Sequence, residues 1–179
     1  MQNLTRRTAL RAGVGALLGS LAGCSALPTD SSEPDDLTFE RLDATAVYVA
    51  DGVELSLPAE IQTVEATNNA DLLLLSDEPD ADAERAVEWL ADDRVLALLG
   101  DGAEATWLSW ARSDAFRDAF GDDGIADSEP DPWLLVGAAI GTAVKTYRNS
   151  WSDGPRDRDV LRALDERLAA IERETPSGA

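Results

Sequence analysis

The chain has 179 residues, 35 acidic against 15 basic side chains, a formal net charge of −20 and no histidine. That length suits one domain with a real hydrophobic core, and the charge argues against nucleic acid and other polyanions as partners. One cysteine and no histidine exclude internal disulfides, Cys/His zinc sites and every Ser–His or Cys–His catalytic arrangement.

The first residues are polar and basic, with Arg6, Arg7 and Arg11, and Ala12 to Gly23 is apolar and rich in Gly, Ala and Leu. This is the layout of a secretory signal peptide. The apolar stretch of 12 residues is too short for a membrane-spanning helix, which needs roughly 20. Thr5-Arg6-Arg7-Thr8-Ala9-Leu10-Arg11 resembles a twin-arginine export signal, with Ala9 where a bulkier apolar residue is usual. Leu21-Ala22-Gly23-Cys24 resembles the lipobox of exported lipoproteins, in which small residues admit the chain to the peptidase and the cysteine thiol takes the lipid. Together they imply a protein that folds before export and is anchored through lipidated Cys24 to the outer face of the cell membrane. No free thiol then remains. The expected organisation is a signal peptide over 1–23, a lipidated tether over 24–37 and one domain over 38–175. The tether holds Pro28, Ser31, Ser32, Pro34 and several acids, without periodicity.

Residues 1–23 hold three arginines and no acids, so the remaining 156 residues carry a net charge near −23. Lys145 is the only lysine, and Asp exceeds Glu. This composition resembles that of proteins from extremely halophilic archaea. A dense carboxylate surface holds water and cations, and salt screens its self-repulsion. Acidic pairs such as Asp35-Asp36, Asp92-Asp93 and Asp122-Asp123 are accordingly read as solvated surface.

In chain order, Ala46–Val49 and Val53–Leu57 flank Asp51-Gly52, a two-residue hairpin signal. Ile61 to Ala66 suits a short strand. Asp71–Ser76 is an apolar run of the kind buried on both faces of a sheet. The spacing of Ala83, Ala86, Val87 and Leu90 predicts a helix over Asp80–Ala91. Val95–Leu99 is a second buried strand, ending at Gly100-Asp101-Gly102. A helix follows Asp101 to about Arg112, and Ser113 restarts a turn carrying Phe116 and Phe120 that ends at Gly121. After a polar loop, Asp122 to Asp131, Trp133–Ile140 is a strand, and Ala143–Tyr147 either extends it or pairs beside it. Pro155 to Arg173 is a helix with Val160, Leu161, Leu164, Leu168 and Ile171 as its buried stripe, and Pro155 suits a first-turn position.

Alternating strands and helices imply a small three-layer α/β domain with a mostly parallel sheet, to which the Asp51-Gly52 hairpin adds an antiparallel N-terminal edge. Asp71–Ser76, Ala86-Val87-Glu88-Trp89-Leu90 and Val95–Gly100, within a stretch of about 30 residues, resemble the central unit of glutamine-amidotransferase-like domains and, more broadly, of flavodoxin-like folds. Catalytic members of that group carry a cysteine nucleophile assisted by His and Glu. With no histidine and no mature thiol, this chain would be a non-catalytic member, serving in sensing, binding or assembly.

Two segments leave the carboxyl ends of buried strands, where the crevice of an open α/β sheet lies: Ser76–Asp80 and Gly100–Glu104. The second lacks the repeated glycines and the Lys-Ser/Thr pair of a phosphate loop. Asp101 and Glu104 have capping-box spacing, with Asp101 as N-cap and Glu104 at N3. The competing reading is a hard-cation site, for calcium or a similar ion, built from Asp77, Glu78, Asp101 and Glu104. It requires both loops to converge. No other cofactor is implied.

There are five tryptophans. Trp107 and Trp110 share one helical face. With Phe116 and Phe120 they form either a sheet-facing core or an exposed surface for a sugar, an apolar ligand or a partner protein. Trp151 lies in the polar stretch Asn149–Gly154 and either contacts a ligand or partner or plugs the end of the core. Lys145, Tyr147 and Arg148 cluster, and on a strand Lys145 and Tyr147 share one face, as either an anion-binding pair or charge compensation against neighbouring acids. Ser109 and Ser113 have no base to activate them.

Three functions remain open. The first is a membrane-anchored extracellular accessory or protein-interaction domain, docking on an envelope protein through an exposed aromatic patch. The second is a single-domain lipoprotein that binds a small ligand or a cation. The third is a carboxylate-based hydrolase, which needs two facing acids, one with a raised pKa.

Overall fold

A computed structural model of the protein describes residues 38–121 and 132–175. The export signal with Arg6 and Arg7, the lipidation position Cys24, the tether and the loop Asp122–Asp131 lie outside the described residues. The strands are β1 (Val47–Val49), β2 (Thr63–Val64), β3 (Leu72–Ser76), β4 (Val95–Leu99), β5 (Leu134–Ile140) and β6 (Ala143–Asn149). The helices are α1 (Ala83–Ala91), α2 (Ala103–Ala111), α3 (Asp114–Phe120) and α4 (Asp157–Glu174), with short 3-10 turns at Leu42–Ala44 and Thr67–Asn69. This is a small α/β domain with a mixed, mostly parallel sheet in the order β2-β1-β3-β4-β5-β6. Strands β2, β1, β3 and β4 run parallel, while β5 is antiparallel to β4 and β6 to β5.

The buried strands sort their side chains by parity, as the pleat requires. Leu72, Leu74, Val95, Ala97, Leu134 and Val136 face α4, joining Val160, Leu161, Leu164, Leu168 and Ile171. Leu73, Leu75, Leu96, Leu98 and Leu135 face the opposite way, onto Ala86, Trp89, Trp107, Trp110 and Phe116 of α1, α2 and α3. Both faces of the central strands are therefore covered, which is why these runs read as continuous apolar stretches. Fully burying each leucine contributes about 1.5–3 kcal/mol.

Local signals explain where the helices start and stop. The Asp82 carboxylate accepts from the Arg85 amide at 2.9 Å and caps α1. At its other end Asp93 takes φ 61°. The amides of Asp93 and Arg94 donate to the carbonyls of Leu90 and Trp89 at 3.1 and 3.0 Å, which makes a Schellman closure with Asp93 at the left-handed position. The Ser113 hydroxyl accepts from the Phe116 amide at 3.1 Å, so α3 is a separate short helix after α2. Helix α4 starts at Asp157, two residues after Pro155.

The N-terminal hairpin is not formed. Asp51-Gly52 does make a tight turn, with the Val53 amide donating to the Ala50 carbonyl at 3.3 Å, but Val53–Leu57 is not a strand. The neighbour of β1 is β2, in parallel register Val47↔Thr63. The reason lies in the backbone. A type I′ hairpin turn needs positive φ at both central residues. Gly52 has φ 85°, whereas Asp51 is not among the described residues with positive φ. The turn thus sends the chain away rather than back along β1. The antiparallel hairpin sits instead at the other edge of the sheet, between β5 and β6, where Ile140 pairs with Ala143. There Gly141 has φ 65° and Thr142 follows, the pattern of a type II′ turn with glycine first.

Candidate functional site

Strand order reverses at β1 and β3: the chain leaves β1 for β2 on one side, then crosses to β3 on the other. Ligand crevices of open α/β sheets lie beyond the carboxyl ends of the strands at such a switch point. Two clefts flank the strand ends here, one on each face of the sheet.

The cleft on the α4 side has a volume of about 400 Å³ and is lined by Glu54, Asp77, Asp101, Asp153, Asp157 and Trp133, among others. Its acids are partly committed to the backbone. The Asp77 carboxylate accepts from the Gly102 amide at 3.0 Å, and the Asp77 carbonyl accepts from the Thr106 hydroxyl. Asp157 accepts from the Ser56 amide at 3.1 Å. Gly100 has φ 137°, and a Cβ there would overlap the Asp77 side chain, so glycine is required for Asp77 to reach α2.

The capping box is therefore not formed as its spacing suggested. Gly102 occupies the N-cap of α2 with no side-chain cap, and Asp77 supplies the acceptor from the neighbouring strand. Glu104 points inward instead: it is 3% exposed and binds Arg148 of β6 through two bonds of 2.9 and 3.0 Å. Such a two-pronged guanidinium–carboxylate pair satisfies both charges where water cannot. Of the four residues considered for a cation, Asp77 and Glu104 already have partners, Asp101 lines the α4-side cleft and Glu78 lines the other one. Among the described residues no group of three or more acidic side chains is placed to hold a metal ion.

Trp107 and Trp110 belong to the core, at 1% and 4% exposure. Trp107 meets Trp110 and Phe116 edge-on at 6.2 and 5.9 Å. The indole lies on β5 where Gly137 leaves room, since a Cβ at Gly137 would overlap its ring. Neither presents an aromatic surface for a ligand or partner. Trp151 is half-buried and packs against the α4-side core. Lys145 and Tyr147 share one side of β6. Lys145 pairs with Glu174 of α4 and lies 5.3 Å from the Tyr147 ring centroid. The Glu174 bond raises the Lys145 pKa, and the same bond lowers that of Glu174. Burial pushes the Tyr147 phenol up. Arg156 beside Asp159 lowers that carboxyl. Glu174 and Asp159 are thus displaced towards the ionised form, the opposite of what a general acid needs.

The second cleft, on the α1 side, has a volume of about 450 Å³. Sequence reasoning did not single it out, because its residues come from four separate segments. Tyr48 and Ala50 follow from β1, Thr67 from the turn before β3, Ser76 and Pro79 from the end of β3, and Arg85 and Trp89 from α1. Leu75 and Trp89, at 2% and 5% exposure, form its floor. The Trp89 indole N–H is buried and has no acceptor among the described residues. The one legible signal was Ser76–Asp80, placed in advance at a strand end.

Comparison of the chain with family models, with curated proteins and with solved structures finds no match.

Proposed function

We propose that this chain is an exported, lipid-anchored domain that binds a small ligand in the crevice at the carboxyl ends of its parallel strands. In this reading residues 1–23 direct twin-arginine export, Cys24 carries the lipid, and residues 24–37 tether the domain to the outer face of the membrane of a halophile. The observation that carries the choice of ligand binding is the cleft of about 450 Å³ at the β1–β3 switch point, within the size range of small-molecule sites. The docking alternative called for an exposed aromatic patch, and Trp107 and Trp110 are buried. The parallel order β2-β1-β3-β4 resembles that of flavodoxin-like folds, whose ligand crevice lies at the same switch point, while β5 departs from them by running antiparallel. That resemblance is an analogy of fold and carries no chemistry. Binding without catalysis fits a chain that has neither histidine nor, once lipidated, a thiol.

Intrinsic tryptophan fluorescence of the whole chain in molar KCl tests the reading. Titration with cations, sugars and detergent extracts of native membranes is expected to give a saturable change with one small molecule. A response to membrane extract alone would overturn it in favour of a protein-docking module. For the anchor, Cys24→Ser is expected to move the protein from the membrane fraction to the medium, because the tether then carries no acyl chain. Retention of the variant at the membrane would refute lipid anchoring at Cys24.

A further inference from the structure

The α1-side cleft has a specific donor and acceptor character. Trp89 is a donor only, through an N–H that is buried and unpartnered. Leaving such a group unsatisfied costs free energy, so its retention beside a cleft points to an acceptor supplied from outside. Thr67 and Tyr48 line the same space, and their hydroxyls can donate or accept. Asp51, Glu78 and Asp80 stand around it as acceptors, and Arg85 is its only cationic lining residue.

From this set we infer that the cleft binds a neutral, hydroxyl-rich ligand, a sugar, with one ligand oxygen accepting from the Trp89 indole N–H. The inference rests on the ligand-binding reading above and names the site and the class. Anions are disfavoured by three carboxylates facing one guanidinium that is itself bonded to Glu88 at 2.6 Å. An organic cation would seek the aromatic face of Trp89, but the Arg85 guanidinium already lies 5.1 Å from that ring's centroid. A bare metal ion lacks its ligands, since no three described acids are placed to hold one. A sugar meets every requirement at once. Its hydroxyls donate to Asp51, Glu78 or Asp80 and accept from Arg85 and Trp89. Its C–H faces rest on Tyr48, Pro79 and Ala81. The Trp89 Nε1 exposes less than 1 Å², so the ligand oxygen reaches it through a small displacement of the cleft wall. Pro79–Ala81 lies outside any helix or strand and can give way.

Indole N–H resonances of the whole chain, labelled with ¹⁵N and held in molar KCl, provide the test. The probes are glucose, mannose, N-acetylglucosamine and trehalose, with glucosamine and glucuronate as charged counterparts. A neutral sugar is expected to move the Trp89 proton downfield and slow its exchange, while neither charged probe does so more strongly. Raising KCl from about 1 M towards saturation should leave that affinity within about twofold, because no ion pair is being screened. Trp89→Phe assigns the signal and lowers affinity about tenfold, the loss of one hydrogen bond. Should that variant fail to fold, Thr67→Val and Tyr48→Phe each remove one lining hydroxyl while keeping the side-chain shape, and each is expected to lower affinity. A stronger response to glucosamine or glucuronate, or no movement of Trp89 with any neutral sugar, overturns the inference. If a small molecule then moves Trp133 of the α4-side cleft instead, ligand binding stands and this site and class fall. If no probe moves any of the indoles, both fall.

Discussion

On the α4 side of the strand ends, carboxylates are used to hold backbone. Asp77 accepts from the Gly102 amide at 3.0 Å and ties β3 to α2, and Asp157 accepts from the Ser56 amide at 3.1 Å and ties α4 to the segment after β1. On the α1 side, across the same sheet, the polar groups hold little. The Thr67 and Tyr48 side chains form no hydrogen bond or ion pair among the described residues, and the Trp89 N–H has no acceptor among them. Acidity therefore does not locate a site in this molecule. Carboxylates are dense throughout the chain, and the informative groups are polar ones that the fold leaves unused.

Substitutions at these groups can break that comparison, and the largest effect belongs to Glu104. Glu104→Gln leaves Arg148 buried with half a partner, since the Arg148 side chain is only 14% exposed. Loss of one member of a buried pair costs about 3–5 kcal/mol, read as a fall in the guanidinium midpoint in molar KCl. A loss below about 1 kcal/mol would mean that the pair is hydrated and no more structural than the surface acids. Asp77→Ala comes next. It removes the acceptor for the first turn of α2, a cap worth about 0.5–2 kcal/mol, and should leave any ligand response at Trp89 intact. If instead stability is unchanged and the ligand response disappears, the two clefts have been assigned the wrong way round. Thr67→Val is the smallest of the three. A half-buried hydroxyl with no partner among the described residues should change stability by no more than about 0.5 kcal/mol, while weakening ligand binding on the α1 side. A clear loss of stability would show that the Thr67 hydroxyl belongs to the fold.

The layers were legible in the sequence because burial on both faces forces an unbroken apolar run, and Leu72–Leu75 and Val95–Leu99 have no other use. The cap at Ser113 was legible because its partner, Phe116, is three residues away. What was not legible depends on partners far along the chain. Asp101 and Glu104 have the spacing of a local cap, but Asp77, 25 residues earlier, reaches Gly102 first, and Arg148, 44 residues later, takes Glu104. The Asp51-Gly52 dipeptide marked a turn correctly. It could not show that only Gly52 adopts positive φ, and this separates a turn that starts a hairpin from one that sends the chain away. The α1-side cleft escaped for the same reason, being assembled from four segments with no shared motif.

Lys145 and Glu174 sit in neither cleft, and they sharpen the comparison from outside it. Their pair links β6 to the end of α4 with both side chains well exposed, at 49% and 38%. The bond raises the lysine pKa and lowers the carboxyl. For Glu174 the stabilisation is present above the ordinary carboxyl range and is lost as pH falls through the lowered value. For Lys145 it is present below the ordinary lysine value and is lost as pH rises through the raised one. Between these limits the pair should hold a small, constant contribution. Lys145→Gln should therefore lower the thermal midpoint slightly at neutral pH, and the gap from the unmodified chain should close at acid pH as Glu174 takes up its proton. The gap should also narrow as KCl is raised, because exposed charges are screened within a few ångströms in molar salt. Persistence of the full gap in saturated KCl and at acid pH would show that the lysine acts through its aliphatic stem against Tyr147 rather than through its charge. The pair would then belong with the packed core, not with the solvated charged surface.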